Sequence, residues 1–155
     1  PVITQRTIAE TVRTDRLAAI AREAAEQTER FEAPEICEPL RLPKALDGWD
    51  EARVLVFAEE AGEEADKPWG GESGRAAPLL EALRVLSPAQ REGQAMALAL
   101  LVGPEGGFAP EERRMLRGLD FVRPVSLGPR ILRAETAVIA ALTLVQAQWG
   151  DWRGA

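Results

Sequence analysis

The sequence contains no histidine and a single cysteine, Cys37. These two shortages remove whole classes of chemistry. A Ser-His-Asp or Cys-His triad cannot be built within the chain. Zinc prefers thiolate and imidazole ligands, so no metal site is expected. Acid–base work must fall to Asp, Glu, Lys or Arg, or to the substrate itself. One thiol cannot form an internal disulfide, which fits a reducing, cytoplasmic compartment. Long apolar runs are also missing. The longest, Ala95–Val102, is far too short to span a bilayer, so no membrane contact is expected. The opening Pro1-Val2-Ile3-Thr4 shows no basic segment followed by an apolar one, and so no signal peptide. Positive charge is short as well: 19 Lys and Arg stand against 25 Asp and Glu, a net charge of -6. Nucleic-acid binding draws on counterion release by cationic side chains. An RNA partner would therefore need a local basic patch, or basic surface supplied from elsewhere.

What is present suits one globular domain. The 155 residues are 46% hydrophobic and 28% charged. Helical spacing of Leu17, Ile20, Ala21, Ala24 and Ala25 predicts a helix over 14–28, with Thr14 or Asp15 as its cap. Arg53–Phe57 reads as a short buried strand. Glu59–Gly74, rich in Gly and acids, reads as an exposed loop. Pro78–Leu86 can form a short helix, and Ser87–Gln94 a polar loop. Ala95–Val102 is apolar throughout, the pattern of a strand covered on both faces. Pro110 to about Arg117 suits a helix that opens on Pro and acids and stops at Gly118. Phe121–Val125 is a third strand, and Ala134 to about Trp149 a last helix. Alternating strands and helices predict an α/β fold with a mostly parallel sheet and helices on both faces. The last helix is apolar on nearly all sides. That predicts either a central core helix or a helix with one face on the sheet and another on a second subunit.

Two loops carry the chemistry. Leu101-Val102-Gly103-Pro104-Glu105-Gly106-Gly107-Phe108 leaves a strand and enters a helix, where ligands of open α/β sheets gather. It is neither a Walker loop nor a Gly-x-Gly-x-x-Gly fingerprint. A tight strand-to-helix turn explains it as well as a ligand does. Ser126-Leu127-Gly128-Pro129-Arg130-Ile131-Leu132-Arg133-Ala134-Glu135-Thr136 also joins a strand to a helix. A Gly-Pro turn accounts for Gly128 and Pro129. It does not account for Ile131 and Leu132 held between two arginines, a segment able to wrap an adenine and turn guanidinium groups toward RNA.

Taken in order, Gly103-Pro104-Glu105-Gly106-Gly107 and Leu127-Gly128-Pro129-Arg130-Ile131-Leu132-Arg133-x-Glu135-Thr136 resemble the ribosomal RNA small subunit methyltransferase E family. Ile20–Gln27 followed by Pro34-Glu35-Ile36 resembles it too, and the similarity runs from about Arg16 to Gly150. The resemblance implies methylation of a uridine base, at N3, in 16S ribosomal RNA, with S-adenosylmethionine as cofactor. It also implies the SPOUT fold with a C-terminal deep trefoil knot, an exception to the rule against knots, and a homodimer. Residues 1–155 would then be one methyltransferase domain whose opening strand and helix precede Pro1. The family's N-terminal PUA-like RNA-binding barrel would be absent. Rival readings are a ribose 2′-O-methyltransferase of the same superfamily and a noncatalytic RNA-binding or dimerisation module.

On this reading backbone groups of Val102, Gly103, Leu127 and Leu132 hold the adenine. Glu105, Gly106, Gly107, Ser126, Gly128, Ile131 and Arg133 complete the cofactor loops. Ala58 and Glu59 form a third wall. Removing the N3 proton leaves negative charge spread over the uracil oxygens. Arg130 and Arg133 are the cationic candidates to stabilise it. Glu105 and Glu135 are candidates for the base, and Glu135 serves equally as a first-turn helix acid.

Overall fold

The computed structural model describes residues 1–8, 11–62, 64, 73–86, 97–150 and 152. The chain forms two compact units, Pro1–Gly48 and Trp49–Ala155. Among the described residues no helix is long and apolar enough to cross a membrane.

The first unit holds β1 (Val2–Ile3), α1 (Thr14–Gln27), β2 (Leu40–Arg41) and α2 (Leu42–Leu46). The two short strands pair in parallel, Val2 opposite Leu40. The expected helix over 14–28 is present, but its expected cap is not. Arg13 occupies the capping position and no side chain caps the helix. The Arg13 guanidinium instead binds the Asp15 carboxylate at 3.0 and 2.7 Å and holds that carboxyl below its ordinary range. The Thr14 hydroxyl donates to Glu38 at 3.1 Å. Both candidate caps are thus engaged with other side chains.

The second unit holds β3 (Val54–Ala58), α3 (Leu79–Val85), β4 (Leu98–Val102), α4 (Pro110–Arg117), β5 (Val122–Val125) and α5 (Ala134–Trp149). Its three strands form one parallel sheet in the order β4-β3-β5. The expected α/β class with a parallel sheet is the one found. Every residue of β3 is buried, because a strand flanked on both sides and covered on both faces has no route to water. The all-apolar Ala95–Val102 segment carries the pattern of a strand covered on both faces. Its part within the described strand, β4, pairs with β3, and there Leu101 is buried while the other four residues are partly buried.

Side chains alternate across β3, which sends its residues to two different layers. Val54 and Val56 pack with Leu79 and Leu83 of α3, Val125 of β5 and Ala141 of α5. On the other face Phe57 meets Phe108 edge-on, with ring centroids 4.8 Å apart. Helices therefore cover both faces, α3 and α5 on one and α4 on the other. Of the exposed loop expected over Glu59–Gly74, Glu59 and Gly62 are buried and Ser73 and Gly74 are exposed. Residues 63, 65–72 and 87–96, which take in the expected Ser87–Gln94 loop, lie outside the described residues.

The last helix is not buried all round. Ala137 and Ala141 are buried while Ile139 and Leu142 are exposed, so one apolar face packs on the unit's core and another is open in the single chain.

Core position should decide the cost of truncation. Leu83→Ala, at a fully buried site, should destabilise by about 2–5 kcal/mol. Val85→Ala, two residues on and 78% exposed, should change stability by no more than about 0.5 kcal/mol. Urea unfolding of the two variants checks this, and equal losses would contradict the assigned core.

Candidate functional site

In a parallel sheet all strands end on the same edge. Register puts Ala58, Val102 and Val125 level there, Ala58 opposite both others. The chain goes from β3 to β4 on one side and then crosses to β5 on the other, so the connections part around β3. That divergence leaves a crevice at the carboxyl ends of the strands. A cleft of about 530 Å³, counting its solvent-open part, lies at this edge.

One wall is the glycine loop after β4. Gly107 has φ +65°, a left-handed conformation that other residues rarely adopt, and its N–H donates to Pro104 at 2.8 Å. Gly103 is needed for space: a Cβ there would sit 2.6 Å from the Phe108 ring. That ring is buried on Phe57, which pins the loop to β3. Phe108 leads into α4, where the Glu112 carboxylate accepts the Ala109 N–H at 3.0 Å and closes the first turn.

The facing wall is the loop after β5. Ser126 is drawn inward: its N–H donates to Ala77 and its carbonyl accepts from Leu79, so the loop is tied to the start of α3. Its hydroxyl accepts the Gly128 N–H at 3.2 Å. Gly128 has φ +115° with nothing within 4 Å of where a Cβ would stand, leaving bare backbone at the cleft.

The third wall follows β3. The Glu59 N–H donates to Val125 at 2.8 Å. Its carboxylate is 3% exposed as a residue and turns away from the cleft, toward α4. Arg113 binds one oxygen at 2.5 Å and Arg117 the other at 2.9 Å. These arginines stand four apart, on one side of the helix. Arg113 also donates to the carbonyls of Ala61 and Gly62, and Arg117 to that of Gly74. One buried anion thus joins the end of β3, α4 and both ends of the β3–α3 connection. Glu59 borders the cleft but commits its charge elsewhere.

Of the residues proposed from sequence, Ala58, Glu59, Val102, Gly103, Glu105, Leu127, Gly128, Arg130, Ile131 and Leu132 line this cleft. Gly106, Gly107, Ser126, Arg133 and Glu135 do not. Gly107 and Ser126 shape the loops. Arg133 is the capping residue of α5 and Glu135 lies in its first turn, both exposed. Sequence reasoning passed over Glu60, Pro104, Ala134 and Ala137, which also line the cleft. Ala134 and Ala137 carried a usable signal, small residues three apart at the start of a helix that opens beside the loop.

A family model described as an RNA methyltransferase domain matches residues 1–146. The chain belongs to this RNA methyltransferase domain family. Among its relatives is a ribosomal RNA small subunit methyltransferase E from Rickettsia conorii, 30% identical over 146 residues, which cover 94% of this chain and 52% of the relative. A methyltransferase from Legionella pneumophila, solved with the cofactor SAM bound, superposes with a TM-score of 0.67 at 31% identity, covering 95% of this chain and 53% of that one. A ribosomal RNA small subunit methyltransferase E from Neisseria gonorrhoeae, bound to S-adenosylmethionine, gives a TM-score of 0.69 at 26% identity, covering 98% and 56%. The family resemblance read from the two glycine-bearing loops is borne out. The chain spans about half the length of the curated relatives that match it along most of its own length.

The Glu59 cluster generates a prediction. Glu59→Gln keeps the shape but removes the charge, leaving two partly buried guanidinium groups facing a neutral amide. Breaking a buried pair by removing one partner costs about 3–5 kcal/mol. Arg113 and Arg117 keep 17% and 29% of their side-chain exposure, so a loss of about 2–4 kcal/mol is expected here. Chemical denaturation checks it; unchanged stability would mean the cluster does not hold the edge together.

Proposed function

We propose that this chain carries the methyltransferase domain of an enzyme that transfers a methyl group from S-adenosylmethionine to N3 of a uridine in 16S ribosomal RNA of the small subunit. The observation that supports this most is the cleft itself. In a chain of the RNA methyltransferase domain family, both glycine-bearing loops and the end of β3 meet around one crevice. The residues present suit the cofactor. Val102, Leu127, Ile131, Leu132, Ala134 and Ala137 offer apolar walls for an adenine. Gly128 offers backbone that no side chain covers. Glu60 and Glu105 bring carboxylates to the cleft, and the cofactor carries cationic groups for them to face.

S-adenosylmethionine, when bound, supplies a methyl group already activated by its sulfonium. The chain's own task is then to hold donor and acceptor together and to stabilise the uracil once its N3 proton has left. Arg130 lines the cleft and is exposed; Arg133 begins α5 and is exposed. Neither guanidinium is engaged by another described residue. An arginine at the start of a 16-residue helix is electrostatically unfavourable, because that end already carries partial positive charge. A helix serving stability alone would place an acid there. Glu135, in the first turn, is that favourable acid, and a structural role suffices for it. The same reading brings the trefoil knot, a homodimer that covers the open face of α5 at Ile139 and Leu142, and a cytoplasmic enzyme.

The arginines provide the test. Measured on full-length variants, at least one of Arg130→Ala and Arg133→Ala should bind S-adenosylmethionine nearly normally. Its single-turnover methyl transfer to small-subunit particles should be slower by about a hundredfold or more. Lys should restore only part of the rate, since a point charge cannot copy a planar fork. Parallel loss of affinity and rate, or no loss of rate, would remove both arginines from the anion-stabilising role. Mass spectrometry of the product should show a base-methylated uridine, and a ribose-methylated nucleoside would overturn the N3 assignment.

A further inference from the structure

Of the carboxylates of Glu59 and Glu60 at the third wall, one is neutralised by other described residues. Glu59 is held by two arginines. Glu60, the next residue, points the other way along the alternating backbone and lines the cleft. It is half-buried, and no hydrogen bond or ion pair joins its carboxylate to any described residue. Its Oε1 lies 3.3 Å from where a Cβ on Gly107 would stand, so it leans over the glycine loop from the third wall. The other charged residues lining the cleft, Glu105 and Arg130, are both exposed and make no ion pair with it. A partly desolvated carboxylate with no partner among the described residues is one that a cation in the cleft would stabilise. Among the described residues, no group of three His, Cys, Asp and Glu is placed to hold a metal ion.

We infer that Glu60 is the counter-charge for a cationic group of the cofactor, its sulfonium or its ammonium, and so a determinant of cofactor affinity. The inference rests on the cleft being the cofactor site. A carboxylate across from a positive group in a half-desolvated cleft attracts it much more strongly than in bulk water. Its neighbour Glu59 cannot do this work, because two guanidinium groups already balance it.

The test is calorimetric titration of the wild-type chain and Glu60→Gln with S-adenosylmethionine and with S-adenosylhomocysteine, at low and high salt. Glutamine keeps the size and the acceptor oxygen, so only the charge is removed. Matching thermal midpoints establish that both proteins are folded. The variant should bind S-adenosylmethionine about tenfold more weakly at low salt, with the gap narrowing as salt rises. If S-adenosylhomocysteine is unaffected, the group read is the sulfonium, which that product lacks. If both ligands weaken equally, it is the ammonium, which both carry. Unchanged affinity in the variant, or a loss indifferent to salt, overturns the role of Glu60 and leaves the cofactor site standing. A wild-type chain that binds neither ligand overturns the cofactor site itself, and the inference with it.

Discussion

A buried anion with two cationic partners organises the edge of the sheet where the cleft lies. Glu59 follows the central strand with its carboxylate out of water, and each oxygen binds a different arginine of α4. Desolvating such a group is costly, and the attraction of the pair repays that cost only when the remaining donors and acceptors are satisfied as well. Here they are, because the two arginines also take up the carbonyls of Ala61, Gly62 and Gly74. An apolar replacement could match the stability of such a cluster but not those carbonyl bonds. The cluster's contribution is therefore to geometry: it fixes where the chain leaves β3 and where α4 stands.

The cleft follows from that placement. α4 is entered directly from the glycine loop, so holding α4 holds the loop's exit, which Phe108 on Phe57 also pins to β3. The loop after β5 is fixed separately, through the backbone bonds that tie Ser126 to Ala77 and Leu79. Both loops are thus anchored on the side away from the crevice. Among the described residues no side chain pairs with the charged groups facing it, the carboxylate of Glu60 and the guanidinium of Arg130, which stand beside the uncovered backbone of Gly128. Anchors behind and unpaired groups in front is the arrangement a preorganised binding site requires.

Much of this was legible in the sequence, and what was missed has a common cause. Local signals worked. The helix pattern from Leu17 to Ala25, the Pro-Glu-Glu opening of α4 and the Gly-bearing breaks after two strands all reappear as elements within a residue or two. Position within the sheet was not local. Ala95–Val102 and Val54–Phe57 are both apolar, and nothing in either says which lies at the centre; that depends on β5, more than sixty residues after β3. The role of Glu59 was hidden for the same reason. Its partners lie 54 and 58 residues away, and on α4 they read as ordinary surface charge. One clue was present: Leu55, Phe57 and Glu59 share a face by alternation, which places an acid on a buried face. The all-round apolar α5 misled in the opposite sense, because composition does not distinguish a core helix from one with a face open in the single chain.

The central claim is that the crevice at the ends of β3, β4 and β5 is where S-adenosylmethionine binds. Backbone amide chemical shifts, followed by NMR during a titration with that cofactor, test it most directly. Saturable shifts are expected at Ala58, Val102, Gly103, Leu127, Gly128 and Leu132, with little change in the first unit at Ala21, Ala24 and Thr28. No shifts at saturating cofactor, or shifts confined to the first unit, would contradict it.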